Sequence, residues 1–214
     1  AASVLKAETG SGLVKWRLHS QFEVDRYVPS RIDVTRDGGG DNDERSAFER
    51  TIQSDRLYVL DRGYAKFSLF NAMHAAQSSY VCRVRDNSVY EVLEDKPLTE
   101  ADRAANVLSD QLVSLGQSSK KSDRPNHSIR LVIIQIKPHV SAGKSQGGSS
   151  GVDSDGHLRI ATNLLDVPAE IIALLYHYRW TIEIFFRTFK HLLGCRHLLS
   201  HSQIGIEIQT YCAI

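Results

Sequence analysis

Cysteine is scarce. Cys82, Cys195 and Cys212 are spread over 214 residues with no C-x-x-C spacing. An odd count so distributed argues against a disulfide framework or a zinc site, and it fits a reducing cytoplasm. An excess of one charge sign is also lacking. Lys and Arg total 26 against 25 Asp and Glu, a net charge of +1, so any nucleic-acid surface must come from local clustering. No apolar run reaches the roughly 18–20 residues of a membrane span. The opening AASVLKAETG has neither a charged n-region nor an apolar h-region, so it does not read as a signal peptide. No internal repeat is visible. What is present is ordinary for a globular protein: 42% hydrophobic and 24% charged residues, in a length that can bury a real core. The chain opens on Ala1 and closes inside the apolar stretch TYCAI, whereas domain boundaries usually fall in polar linkers. It is expected to be a piece of a longer protein.

Residues 13–34 are rich in β-branched and aromatic side chains and predict two strands with a turn near Asp25-Arg26. RDGGGDNDE at 36–44 predicts a loop, and 46–54 a short helix. LYVL at 57–60 ends in Asp61, followed by Arg62-Gly63-Tyr64. A buried strand that ends in a carboxylate and a glycine turn presents an acid at a sheet edge. A helix over 65–77 and a strand over 78–86 follow, a β-turn-α-β unit that places the chain in the α/β class. VYEVLE, IRLVIIQI and HLRIATNL within 87–165 read as strands, with a short helix over 99–115 and two Ser/Gly/Lys-rich stretches between them. The expected organisation is 1–86 as the first part of a core, 87–165 as a mainly β insertion, and 166–214 as a core helix and the start of a C-terminal region.

The strongest pattern is a helix over 168–194, with Asp166 as cap, Pro168 in the first turn and Gly194 as stop. At 100° per residue, Tyr176, Arg179, Glu183, Arg187 and Lys190 share one arc of about 80°, while Leu175, Ile182, Phe185, Phe186, Phe189 and Leu193 fill an apolar arc. A plain solvated face with the i,i+4 pairs Arg179–Glu183 and Glu183–Arg187 would look similar. One carboxylate among three cations, however, suits a metal ligand beside a polyanion.

The spacing Tyr176-x2-Arg179-x3-Glu183-x6-Lys190 resembles the Y-(2)-R-(3)-E-(6)-K signature of insertion-sequence DDE transposases of the insertion sequence family four type. Arg179-Trp180 with Ile182-Glu183, and Phe186-Arg187 with Phe189-Lys190, resemble the neighbours of that signature. Thr162-Asn163-Leu164-Leu165 resembles the strand before it, and Asp61-Arg62-Gly63-Tyr64 the block of the second catalytic aspartate. The resemblance implies an RNase H-like fold, a mixed sheet flanked by helices with a β-rich insertion before the helix of the catalytic Glu. It implies metal-dependent DNA cleavage and strand transfer, with Asp61 and Glu183 as catalytic metal ligands for two Mg²⁺ ions, or Mn²⁺ in their place. Arg179 and Lys190 would hold DNA phosphates, Tyr176 would contact a phosphate near the cut, Arg187 would also bind DNA, and Trp180 would stack on a base or pack in the core. Double-stranded DNA, both transposon ends and target, would be the partner of a homodimer acting in the bacterial cytoplasm at the nucleoid, with no membrane role. The family's first Asp has no counterpart in 1–12, and the contexts of Asp25 and Asp33 do not fit it, so that Asp is expected upstream of Ala1.

Other features read more plainly. His177 and His191 lack metal-ligand spacing, Asp37 to Asp41 lacks an EF-hand pattern, and Lys120, Lys121, Arg124 and Lys144 read as solvated loop charges. Glu170 reads as a first-turn acid favoured by the helix dipole. The competing functional reading is an inactive DNA-binding remnant of a transposase. A different metal nuclease on the same fold or a helix-rich interaction module would leave the Y-R-E-K spacing or Asp61-x-Gly-Tyr unexplained.

Overall fold

The computed structural model describes residues 2–9, 12–36, 39–117, 119–120, 123–136, 156–191, 199–200 and 202–212. The chain folds as two compact units, Ala1–Ile52 with Tyr178–Ile214, and Gln53–His177.

The first unit begins with β1 (Ala2–Thr9), β2 (Gly12–Glu23) and β3 (Val28–Arg36), an antiparallel sheet in that order. The two strands expected over 13–34 are β2 and β3, joined by a turn at 24–27 in which Tyr27 takes a φ of 56°. β1 is not predicted, because Lys6 and Glu8 interrupt a short run of small residues. Alternation sends Trp16, Leu18, Ile32 and Val34 to one face. There they join Phe189 and Ile206 in a buried cluster, with Phe185 and Phe186 packed against it. Each fully buried side chain of this kind contributes about 1.5–3 kcal/mol. The short helix α1 (Glu44–Glu49) starts two residues before the expected one because Asp43 caps it, accepting the Arg45 N–H at 2.9 Å. It ends early at Glu49, and just beyond it the Thr51 hydroxyl donates to the Phe48 carbonyl at 2.8 Å.

The second unit holds β4 (Leu57–Leu60), α2 (Phe67–Ala75), β5 (Ser79–Arg83), β6 (Tyr90–Asp95), α3 (Glu100–Ala104), β7 (Val107–Leu115), β8 (Ile129–Gln135), β9 (His157–Thr162) and α4 (Ala169–His177). Its strands form one six-stranded mixed sheet, order β4-β5-β9-β8-β7-β6, in which only β4 and β5 run parallel. The strands within 87–165 therefore hydrogen-bond into the same sheet as β4 and β5. Val81, Val107, Val132, Ile134, Ile160, Ala169, Ile172 and Tyr176 form its buried core under α4.

Two expectations change here. The helix expected over 99–115 is only α3, and Val107–Leu115 is a strand. A register shift between Val107 and Ser109 breaks its alternation, and Asp110 occupies a core-facing position. That acid is buried because Arg130 on the neighbouring strand meets both its oxygens at 2.7 Å. The single helix expected over 168–194 is likewise two helices, α4 and then α5 (Trp180–His191), with 178–179 in a turn between them. Tyr, His, Tyr, Trp, Thr and Ile crowd 176–182, residues that lose side-chain freedom in a helix. Gly194, the expected stop, lies outside the described residues. The first unit ends with α6 (Gln203–Cys212), whose Gln203 and Tyr211 side chains donate to the Val34 and Ile32 carbonyls of β3 at 3.3 and 3.1 Å.

Candidate active site

Asp61 stands at the end of β4, the edge strand of the six-stranded sheet. Leu60 is buried beside the wholly buried Tyr80, Val81 and Cys82 of β5. The chain leaves the sheet at Asp61 and turns through a 3-10 segment, Arg62–Tyr64. Asp61 caps that turn: its Oδ1 accepts the Arg62 N–H at 2.7 Å and its carbonyl accepts the Tyr64 N–H at 2.9 Å. Tyr64 folds into the core while Asp61 remains exposed. This is the strand-end carboxylate that the local sequence predicts. Cys82 lies beneath it, its thiol donating to the Asp61 carbonyl at 3.7 Å. Burial first, and then the Asp61 charge, push the thiol pKa well above its ordinary value, so Cys82 is a packed apolar group and not a nucleophile.

Glu183 lies in the first turn of α5. Its Oε1 accepts a hydrogen bond from Arg179 Nη1 at 2.6 Å, with side-chain exposures of 43% for Glu183 and 14% for Arg179. The Arg179 guanidinium also sits 5.1 Å from the centre of the Trp180 ring. Of the two i,i+4 pairs expected on this helix, Arg179–Glu183 forms, while among the described residues Glu183 makes no ion pair with Arg187. Arg187 is exposed, next to Ile184 at 61% exposure, and Trp180 is 48% exposed. Phe185, Phe186 and Phe189 turn to the core of the unit, as the wheel predicts. Lys190 lies on α5 by its backbone; its side chain is outside the described residues.

The stripe does not continue through Tyr176. The break at 178–179 separates Tyr176 from it, and Tyr176, 6% exposed, packs in the core of the second unit. Asp61 and Tyr176 thus belong to one unit, and Arg179, Trp180, Glu183, Arg187 and Lys190 to the other. Among the described residues, no group of three or more His, Cys, Asp or Glu side chains is gathered as a metal site.

Residues that the sequence left unused position α4. The expected cap, Asp166, is replaced by Asp102, whose Oδ1 accepts the Glu170 N–H at 2.9 Å. Its Oδ2 accepts the N–H and the hydroxyl of Thr99, both at 2.8 Å, closing a capping box on α3. Burial raises the Asp102 carboxyl, but the hydrogen bonds from Thr99 and Glu170 outweigh it and hold the pKa at about 2. Thr99-x-x-Asp102 is a readable capping signal; its second helix is 68 residues away and is not. Arg130 fixes the approach to α4, donating to the Leu164 and Leu165 carbonyls at 3.1 and 3.4 Å and to that of Val167, while Lys96 Nζ donates to Leu165 at 2.7 Å.

No helix among the described residues is long and apolar enough to cross a membrane. Residues 17–214 match the family described as Transposase DDE domain. A Sinorhizobium fredii protein named as a transposase is 26% identical over 92% of this chain and 50% of its own length. A Geobacillus stearothermophilus protein named for insertion sequence element IS5377 is 25% identical over 92% of this chain and 46% of its own. The transposase for insertion sequence element IS421 of Escherichia coli is 22% identical over 86% of this chain and 54% of its own. The chain spans about half the length of these relatives. With its mixed sheet flanked by helices and a family match that covers most of its length, this chain belongs to the transposase DDE domain family, of RNase H-like fold.

Proposed function

We propose that this chain is part of the catalytic core of an insertion-sequence transposase that cuts and joins double-stranded DNA by metal-dependent phosphoryl transfer. The observation that carries the reading is the exposed Asp61 at a strand end, within a chain matched over 17–214 by the family. Asp61 and Glu183 are the proposed ligands of divalent cations, Mg²⁺ or Mn²⁺. The donor chemistry fits: both are accessible carboxylates, and hard cations take oxygen ligands. Such cations, when bound, supply charge stabilisation for the attacking and leaving oxygens of an in-line transfer.

The chain's own residues bind and orient. Exposed Arg187, with Arg179 and Lys190, is proposed to hold phosphates, fixing the register of the duplex without reading its sequence. Trp180 offers a half-exposed ring for stacking on a base. The ring of Tyr176 is packed in the core, so its hydroxyl is the group proposed to meet a phosphate. Transposon ends and target DNA are the proposed substrates, with two copies acting on paired ends in the cytoplasm.

The test is nicking of a labelled transposon-end duplex by the natural protein that contains this chain, in Mg²⁺ or Mn²⁺. Cleavage that both Asp61→Asn and Glu183→Gln abolish supports the assignment. Cleavage that neither substitution affects refutes it. DNA binding without cleavage would favour the inactive remnant.

A further inference from the structure

Arg179 sits where the dipole of α5 does not favour it, while Glu183 in the first turn is favoured there. Arg179 immediately precedes α5, at the end where the helix dipole presents partial positive charge. The more favourable order for an i,i+4 pair puts the acid first, and here the base comes first. The pair forms nonetheless, with a 2.6 Å hydrogen bond, a guanidinium held 5.1 Å from the Trp180 ring and an arginine side chain only 14% exposed. This geometry sets two proposed roles against each other. The bond joins Glu183 Oε1 to Arg179 Nη1, so one carboxylate oxygen that a cation would take, and one guanidinium nitrogen that a phosphate would take, are committed to each other.

We infer that Arg179 is a counter-ion latch on Glu183: it neutralises the carboxylate in the absence of DNA, and its transfer to a DNA phosphate is what opens Glu183 to a divalent cation. The inference rests on the transposase reading above and adds an order of events to it. DNA capture and cation loading become coupled, and the coupling must be reciprocal: whatever occupies Glu183 releases Arg179 for phosphate, and whatever occupies Arg179 releases Glu183. Arg179 is then a positioning residue as well as a phosphate contact. Trp180 shapes the exchange, since its ring holds the guanidinium beside the helix end during transfer.

The first readout needs neither metal nor cleavage. The affinity of the natural protein for a labelled transposon-end duplex is measured by fluorescence anisotropy in EDTA at fixed salt, because phosphate contacts depend on salt. Glu183→Gln should free Arg179 and tighten binding about threefold to tenfold, toward the lower end of the coupling found between contacting residues. Removing a negative charge near DNA also tightens binding by plain repulsion, so the gain must be shown to depend on Arg179. In an Arg179→Met background, and independently in Arg179→Gln, the same Glu183→Gln change should yield little of it. An equal gain in all backgrounds overturns the latch. A second readout is Mn²⁺ binding without DNA, followed by electron paramagnetic resonance. It should tighten in Arg179→Gln clearly more than in Arg187→Gln, which removes a charge on the same helix that makes no ion pair with Glu183 among the described residues, and equal or unchanged Mn²⁺ affinity in the two counts against the latch. Loss of Mn²⁺ binding in Glu183→Gln separates the two ideas. If Mn²⁺ binding ignores Glu183, the ligand assignment itself falls and takes the latch with it.

Discussion

The ion pair between Arg130 and Asp110 offers a sharp test of how the second unit is held together. The two side chains are only 3% and 6% exposed, and the guanidinium meets the carboxylate through two parallel bonds of 2.7 Å. Removing one member of a buried pair strands the other and costs about 3–5 kcal/mol. The two deletions should differ. Without Asp110, Arg130 keeps the carbonyls of Leu164, Leu165 and Val167 as acceptors. Without Arg130, those carbonyls lose a donor and Asp110 is left buried on its strand. Arg130→Met should therefore cost about 4–5 kcal/mol and Asp110→Leu about 3, with the double change recovering most of the pair's share. At roughly 2–4 °C per kcal/mol for a chain of this size, Arg130→Met should lower Tm by about 8–20 °C. Urea unfolding with circular dichroism would measure all three. Equal costs for the two single changes would show that the carbonyl anchoring contributes nothing. Costs below about 1 kcal/mol would refute the buried pair altogether.

Asp102 joins α3 to α4, so Asp102→Ala should destabilise by about 2 kcal/mol, twice an ordinary cap, while Thr99→Ala should cost about 1; thermal melts would rank them. Because the Asp102 pKa is depressed from 3.8 to about 2, its contribution is intact above pH 4 and is lost as pH falls from there toward 2. His127 is lowered from 6.5 to about 4 by burial and then by His74, whose ring stacks on it at 4.1 Å. Between those values the unfolded chain takes a proton that the folded chain resists, so stability should fall on acidification from pH 6.5 to 4, by at most about 1.4 kcal/mol per unit. His127→Phe should flatten that slope in urea titrations, and an unchanged slope would count against it. Gly116 has a φ of +81°, and an added Cβ would lie 2.6 Å from Phe67 Cε2, so Gly116→Ala should destabilise by about 1–3 kcal/mol in urea unfolding. Trp180→Ala should leave stability within about 1 kcal/mol of wild type but weaken duplex binding, since the ring is 48% exposed.

Local chemistry made the proposed site legible. Leu57 to Tyr64 announces itself as a strand closed by Asp61 and a glycine turn, and the structure places Asp61 at that strand end. The phenylalanines at 185, 186 and 189 have helical spacing and reach the core, and Arg179 and Glu183, four apart, do meet. Each signal lies within one or two turns of chain, where periodicity and spacing act directly. What the sequence alone did not decide depends on partners far along the chain. β7 is a strand because Arg130 neutralises Asp110 from the next strand, which no window around 107–115 contains. α4 is capped by a carboxylate 68 residues earlier, not by the nearby Asp166. The single stripe from Tyr176 to Lys190 becomes two helices in two units, because Tyr176 is drawn into one core and Phe189 into another. Burial in separate cores outweighs a helical pattern that costs little to interrupt at a run of aromatic and β-branched residues.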